Sequence, residues 1–205
     1  MYGILGIVLS CLYMPICRIL LSTGKDNRFL WQLRFEELHS WKKDDLLVSG
    51  LGLAAGICGF LMYGGVSEGY LWYELLVLPL IPLAAIDGRE HLVPDSILIV
   101  WAVLAVGIKL YLQREGLIVS AIGCVVGGGI PGTAWLIRRD AIGPGDIKVL
   151  AICGWILGFP AVIGLLVRAL LVSGIYGVTL LVRKKASLHT ELPFLPFLLI
   201  GSLLG

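Results

Sequence analysis

The chain has 205 residues, 58% of them hydrophobic and only 15% charged, with a mean hydropathy of +0.94. These values are far from those of soluble domains and describe an all-α, polytopic integral membrane protein, with room for one membrane-embedded domain over 1–205. A net charge of +2 is too small to argue for a nucleic-acid partner, which leaves membrane lipid as the expected surroundings.

Apolar blocks run in chain order at about Tyr2–Leu21, Leu46–Met62, Tyr70–Ile86, Ile97–Leu112, Leu117–Ile137, Ile147–Phe159, Ala161–Val182 and Pro193–Leu204, which predicts about eight transmembrane or partly spanning helices. The sixth and eighth are shorter than the roughly 20 residues of a perpendicular span and are expected to be partial spans shielded by neighbours. The first block lacks a basic leader and a small-residue cleavage site, so it reads as a retained helix rather than a signal peptide. The one long polar stretch, at about 22–45, interleaves Trp31, Phe35 and Trp41 with bases. It fits an interfacial loop on anionic lipid, with substrate docking as the other reading. Cys11, Cys17, Cys58, Cys124 and Cys153 all fall in apolar blocks without a CxxC pair, which favours packing roles over a disulfide framework or a thiolate zinc site.

Lys and Arg set the orientation. With the N-terminus outside, the cytoplasmic segments hold Arg18, Lys25, Arg28, Arg34, Lys42, Lys43, Arg89, Arg138, Arg139, Lys148, Arg183, Lys184 and Lys185, and the outer loops only Lys109 and Arg114. This puts Asp87, at the end of the third block, and Asp146, at the start of the sixth, at one depth on the cytoplasmic side. Carboxylates at the border of hydrocarbon are costly and are rarely kept there without a task. Two held close together share a proton, so the ionised member can activate water while the protonated one donates to a peptide carbonyl. Gly143 and Gly145, around Pro144, allow backbone conformations and close approaches denied to other residues, and they place Asp146 at a helix N-terminus where the dipole favours its anion.

The run Gly143-Pro144-Gly145-Asp146-Ile147-Lys148 resembles the GxGDxK signature of the bacterial type IV prepilin peptidases, which are GxGD aspartic proteases of membranes. Asp87 followed by Pro94-Asp95 is similar to that family's other motif, and Leu192-Pro193-Phe194-Leu195-Pro196-Phe197 with Gly201 resembles its last helix. The resemblance implies an endopeptidase of the bacterial inner membrane with its active site facing the cytoplasm. It would remove the leader peptide of prepilin or pseudopilin precursors, with Asp87 and Asp146 catalytic and Gly143, Gly145, Lys148, Pro94 and Asp95 supporting or binding substrate. Larger members carry a cytoplasmic domain with paired CxxC motifs, and many N-methylate the new terminus. Here that loop has no cysteine. No metal is therefore expected and no cofactor for peptide cleavage, and S-adenosylmethionine enters only if methylation is retained.

Two alternatives are another GxGD-type intramembrane protease, disfavoured by the absence of Tyr-Asp and Pro-Ala-Leu motifs, and a proton-coupled carrier, disfavoured because both acids lie at one face and no inverted repeat is visible. Several residues keep more than one reading. Asp95 fits a helix cap or a substrate contact. Lys148 fits a structural or pKa-tuning role, or simple snorkelling. Glu90 and His91 fit a solvated loop more than an entrance, and Glu74 reads as a wet or interfacial carboxylate. Arg168, inside its block, needs a carboxylate or a hydrated cavity. Gly123, Gly127, Gly128, Gly129, Gly132 and Pro131 make the fifth block smooth, for close packing before flexing.

Overall fold

The computed structural model describes residues 43–64, 67–112, 116–139, 142–183 and 192–204. They form seven helices, α1 (Lys43–Met62), α2 (Glu68–Glu90), α3 (Asp95–Leu112), α4 (Leu117–Ile137), α5 (Pro144–Leu157), α6 (Ala161–Val182) and α7 (Leu195–Leu203). No strand occurs among the described residues, and α2, α3, α4 and α6 are long and apolar enough to cross a membrane. The all-helical membrane class read from the sequence therefore holds. The first apolar block, Cys11, Cys17 and the polar loop as far as Lys42 lie outside the described residues.

Of the four long helices, α2 is 78% buried along its apolar stretch and the other three 28% or less, which makes α2 the central one. It packs against α1, α5 and α7, and α5 in turn touches α3, α4 and α6. The core forms where α2 (Leu75, Leu80, Leu83), α3 (Ile97, Trp101), α5 (Val149, Leu150) and α7 (Leu195, Leu198) meet. Outward apolar side chains such as Val103, Ile118, Val125 and Ile175 stay exposed, as a lipid-facing surface requires.

In lipid, helices associate through close packing and internal satisfaction of polar groups rather than through exclusion of water. Both devices are visible. Pro79 inside α2 has no N–H for the carbonyl four residues earlier, that of Leu75, and the buried Trp101 indole N–H of α3 donates to that oxygen at 2.8 Å. Between α4 and α5 the backbones touch. A methyl group at Gly123 would run into the carbonyl oxygen of Gly154, one at Gly154 into the carbonyl of Gly123, and one at Gly127 into the carbonyl of Leu150. The smooth face of α4 thus serves packing at Gly123 and Gly127, and at Gly128 against Ala151 at 3.1 Å. Gly129 faces open space and Gly132 meets only Ile147, at 3.9 Å, so these two are not needed for it.

Three charged residues differ from expectation. Glu74 is fully buried in the centre of the bundle, not wet or interfacial, because α2 is surrounded on all sides. Lys109 lies in the last turn of α3 and is 5% exposed, not in an outer loop. Arg168 of α6 has, among the described residues, a backbone partner on another helix: its Nε donates to the carbonyl oxygen of Gly201 in α7 at 2.9 Å.

The glycine contact gives a paired prediction. Gly123→Ala should destabilise the micelle-purified protein by about 1–3 kcal/mol, the usual cost of overpacking, read as a lowered thermal unfolding temperature, since backbone atoms block the added methyl. Gly129→Ala, with nothing within 4 Å, should leave it unchanged or slightly raised.

Candidate active site

The polar end of the bundle is built from the end of α2, the start of α3, the start of α5 and the start of α7. Helix α2 stops at His91, whose left-handed backbone (φ 51) lets its N–H close the last turn on the carbonyl of Asp87 at 3.0 Å. The exposed His91 is thus a helix cap. The Asp87 side chain turns inward and is 5% exposed. Its Oδ2 accepts the backbone N–H of Leu195 at 3.0 Å, across 108 residues of sequence. Leu195 is the first residue of α7, so the free N–H groups of that helix start face the carboxylate, as anions at helix N-termini require.

After His91 the chain crosses to α3. The buried Pro94 sets its start: its carbonyl accepts the N–H groups of Ile97 and Leu98 at 3.2 and 3.4 Å. Asp95 then opens the helix, and its carboxylate reaches across to α5, where Lys148 Nζ lies 2.6 Å from its Oδ1. Neither the capping nor the snorkelling reading is needed. The two residues form an ion pair linking the two motifs, and because both side chains are more than half exposed, the pair aids alignment more than stability.

Helix α5 starts at Gly143, with extended backbone (φ −68, ψ 144), and Pro144 follows in the first turn, where a missing N–H does no harm. Asp146 lies in that turn and its N–H donates to the Gly143 carbonyl at 3.1 Å. Its carboxylate folds back to take the Gly143 N–H, the reach of a third-position acid in a capping box. A side chain on Gly143 would start 3.3 Å from Asp146 Oδ2 and crowd this arrangement. Gly145 has a different reason: a methyl there would sit 2.7 Å from Val93 Cβ, in the connection between α2 and α3. Gly145 against Val93 and Lys148 on Asp95 are therefore two contacts that bring the Asp146 turn onto the segment that follows Asp87.

Asp146 lies outside the four long spans, at the polar end of the bundle. Burial first, and then the negative charge of Asp87, push its carboxyl up to about 6, against the hydrogen bond from Gly143. Topology thus brings together Asp87, Asp146, Gly143, Gly145, Lys148, Pro94 and Asp95. The sequence gives no sign of the Leu195 amide or of Val93, since a backbone donor has no residue code, although Pro193 and Pro196 mark the helix start that supplies it. Among the described residues no cluster of three or more His, Cys, Asp or Glu side chains could hold a metal ion.

The chain is similar over residues 75–178 to the type IV leader peptidase family. It is also 24% identical over 192 residues to a Bacillus subtilis (strain 168) protein described as prepilin leader peptidase/N-methyltransferase, covering 94% of this chain and 74% of that one. No solved structure matches it. The matched stretch takes in α3, α4, α5, most of α2 and most of α6, with both aspartates inside it, and covers half of the chain: this membrane protein belongs to the type IV leader peptidase family.

Proposed function

We propose that this protein is a peptidase of the bacterial inner membrane that removes the leader from prepilin or pseudopilin precursors at the cytoplasmic face, with Asp87 and Asp146 as its catalytic pair. The observation that carries the reading is the meeting of these two acids from α2 and α5 at one end of the bundle, close enough for the charge of Asp87 to raise the titration of Asp146. Such a pair can hold one proton between two carboxyls. Asp87, facing the amide of Leu195, is the member suited to the carboxylate form, and it takes a proton from water. Asp146 is the member that carries a proton to the scissile carbonyl. The water attacks, the tetrahedral intermediate collapses, and the leaving amine recovers a proton from the pair, with no covalent enzyme intermediate. The Lys and Arg bias supports a cytoplasmic location for this end, where a leader with positive charge would lie before the pilin's apolar helix.

The relative's printed name includes an N-methyltransferase activity. No step of the proposed cleavage is routed through S-adenosylmethionine. Peptide cleavage as described needs none.

Three outcomes are expected. Co-expression with a prepilin, read by the mass of the pilin N-terminus, should show leader loss with wild type and none with Asp87→Asn or Asp146→Asn; leader loss with both variants would refute the pair. A further gain of about 14 mass units would mark a methyl group.

The close contact at Gly145 predicts that Gly145→Ala lowers kcat by about 10- to 100-fold. Val93→Gly in the same chain should restore much of it and Val93→Ala should not, because the obstructing atom is Val93 Cβ itself.

For stability, Asp146 titrates higher in the folded protein (about 6) than in the unfolded chain (near 3.8), so the folded state binds more protons between these values. Stability should fall as pH rises from about 4 to 6, by up to about 3 kcal/mol. Asp146→Asn should accordingly raise the unfolding temperature at pH above about 7 and change it little near pH 4, as measured by scanning fluorimetry in micelles.

A further inference from the structure

Helix α5 has 14 residues, about 21 Å of rise against a hydrocarbon core of about 30 Å, whereas its neighbours α4 and α6 have 21 and 22. With its first turn at the polar end, its last turn stops short of the far surface. The last carbonyls of a helix have no partner within it, and in hydrocarbon no water replaces one. Lys109 of α3 fills this place. Its ammonium, on a residue only 5% exposed, donates to the carbonyl of Ile156 at 3.0 Å and to that of Trp155 at 3.4 Å. The same nitrogen lies 4.7 Å from the centre of the Trp72 ring. Trp72 in turn donates its indole N–H to Glu68 Oε1 at 3.2 Å. A cation at a helix C-terminus, seated on an aromatic face with a carboxylate behind it, is an anchored group and not a snorkelling one.

What the anchor holds follows from the contacts along the rest of α5. Its seam with α4 is glycine backbone against backbone, which allows close approach but supplies few side-chain knobs to stop one helix sliding along the other. Lys109 is bonded to one named turn of α5, and Asp146 lies at the other end of the same rigid helix. Through α2, which carries Trp72 and Glu68 near its start and Asp87 near its end, the anchor is tied to the other acid as well. The ends of α2 and α5 opposite the aspartates are thus joined through one ammonium.

We propose that Lys109 is a positioning residue for the peptidase reaction: by holding the C-terminal carbonyls of α5 to Trp72 and Glu68 of α2, it sets the axial register in which Asp146 meets Asp87. The inference rests on the functional reading above. A displacement of Asp146 by about 1 Å would lower the chemical step by on the order of 100-fold. Substrate binding, determined elsewhere, would be left as it is.

The test uses the full chain reconstituted in vesicles with a prepilin substrate, comparing wild type with Lys109→Met, Lys109→Gln and Lys109→Arg, and with Asp146→Asn as the inactive control. Lys109→Met should lower kcat by about 10- to 100-fold with KM within about twofold. Lys109→Gln, which keeps one amide donor, should fall between, and Lys109→Arg should recover most of kcat. If Lys109→Met folds too poorly to assay, the Gln and Arg variants carry the same test through their kcat order. Equal kcat in all variants would overturn the inference, as would a loss of kcat that only follows the fraction of folded protein by size-exclusion profile and unfolding temperature. A rise in KM at constant kcat would also overturn it, placing Lys109 in substrate binding. Absence of cleavage by wild type would instead count against the peptidase reading itself.

Discussion

The backbone contact between α4 and α5 is the constraint on which the polar end depends. Where Gly123, Gly127 and Gly154 let the two helices touch, α5 is drawn into the middle of the bundle, against α2, α3 and α6 as well as α4. A helix of 14 residues could not survive alone in lipid, since both of its ends would expose unpaired groups to hydrocarbon. Surrounded, it finds partners for both. Its start lies against Val93 and Asp95, and its end is taken up by Lys109. The short sixth apolar block, a weak candidate for a span, is therefore the element that touches all four of the long helices.

The burial of two carboxyls near each other raises the question of what makes that tolerable. In both cases the answer is a helix start. Asp87 takes the N–H of the first residue of α7, and Asp146 the N–H of Gly143, the residue just before α5. These donors are orphan groups that each helix must satisfy in any case, so the acids and the helix starts solve each other's problem. The arrangement leaves an asymmetry. Asp87 draws its donor from a remote segment, while Asp146 draws its own from three residues away and carries the influence of its neighbour's charge. That asymmetry gives the two carboxyls separate parts in the proposed chemistry.

The helices and the positions of the two aspartates are legible in the sequence because both are matters of contrast. An acid at the border of a long apolar block stands out, and the block boundaries agreed with the helix limits within a few residues, with α4 and α6 matching at both ends. The Lys and Arg pattern also placed both acids on one side. The readings that failed concerned single charged side chains inside or beside helices. Glu74 reads as wet from its place toward an end of its block, but exposure of a helical residue depends on what surrounds the helix, and α2 is enclosed. Lys109, near the end of its block, reads from sequence as an outer-side base, whereas it turns inward to the carbonyls of Trp155 and Ile156. For Arg168 the sequence points to a carboxylate or a cavity and gives no sign of the helix-end carbonyl of Gly201, which accepts its Nε–H. Asp95 and Lys148 were each read singly, and their pairing is a fact of how α3 and α5 cross. In each case the deciding partner lies on another helix, and hydropathy carries no record of rotational phase or of neighbours.

Along α5 the polarity of the helix itself gives these partners an order. Asp146 sits in the first turn, where the positive end of the dipole favours a carboxylate, and Lys109 sits against the last turn, where the negative end favours an ammonium. Exchange of the two charges would set both against the dipole. The same holds at α7, whose first N–H meets Asp87 and whose late carbonyl at Gly201 meets Arg168. Two short helices, neither long enough to reach both surfaces, thus have an acid at the N-terminal end and a base at the C-terminal end. Charged side chains that looked like liabilities in an apolar chain are what allow the short helices to end inside it. The polar end of the bundle, with both aspartates, is where those helix starts converge.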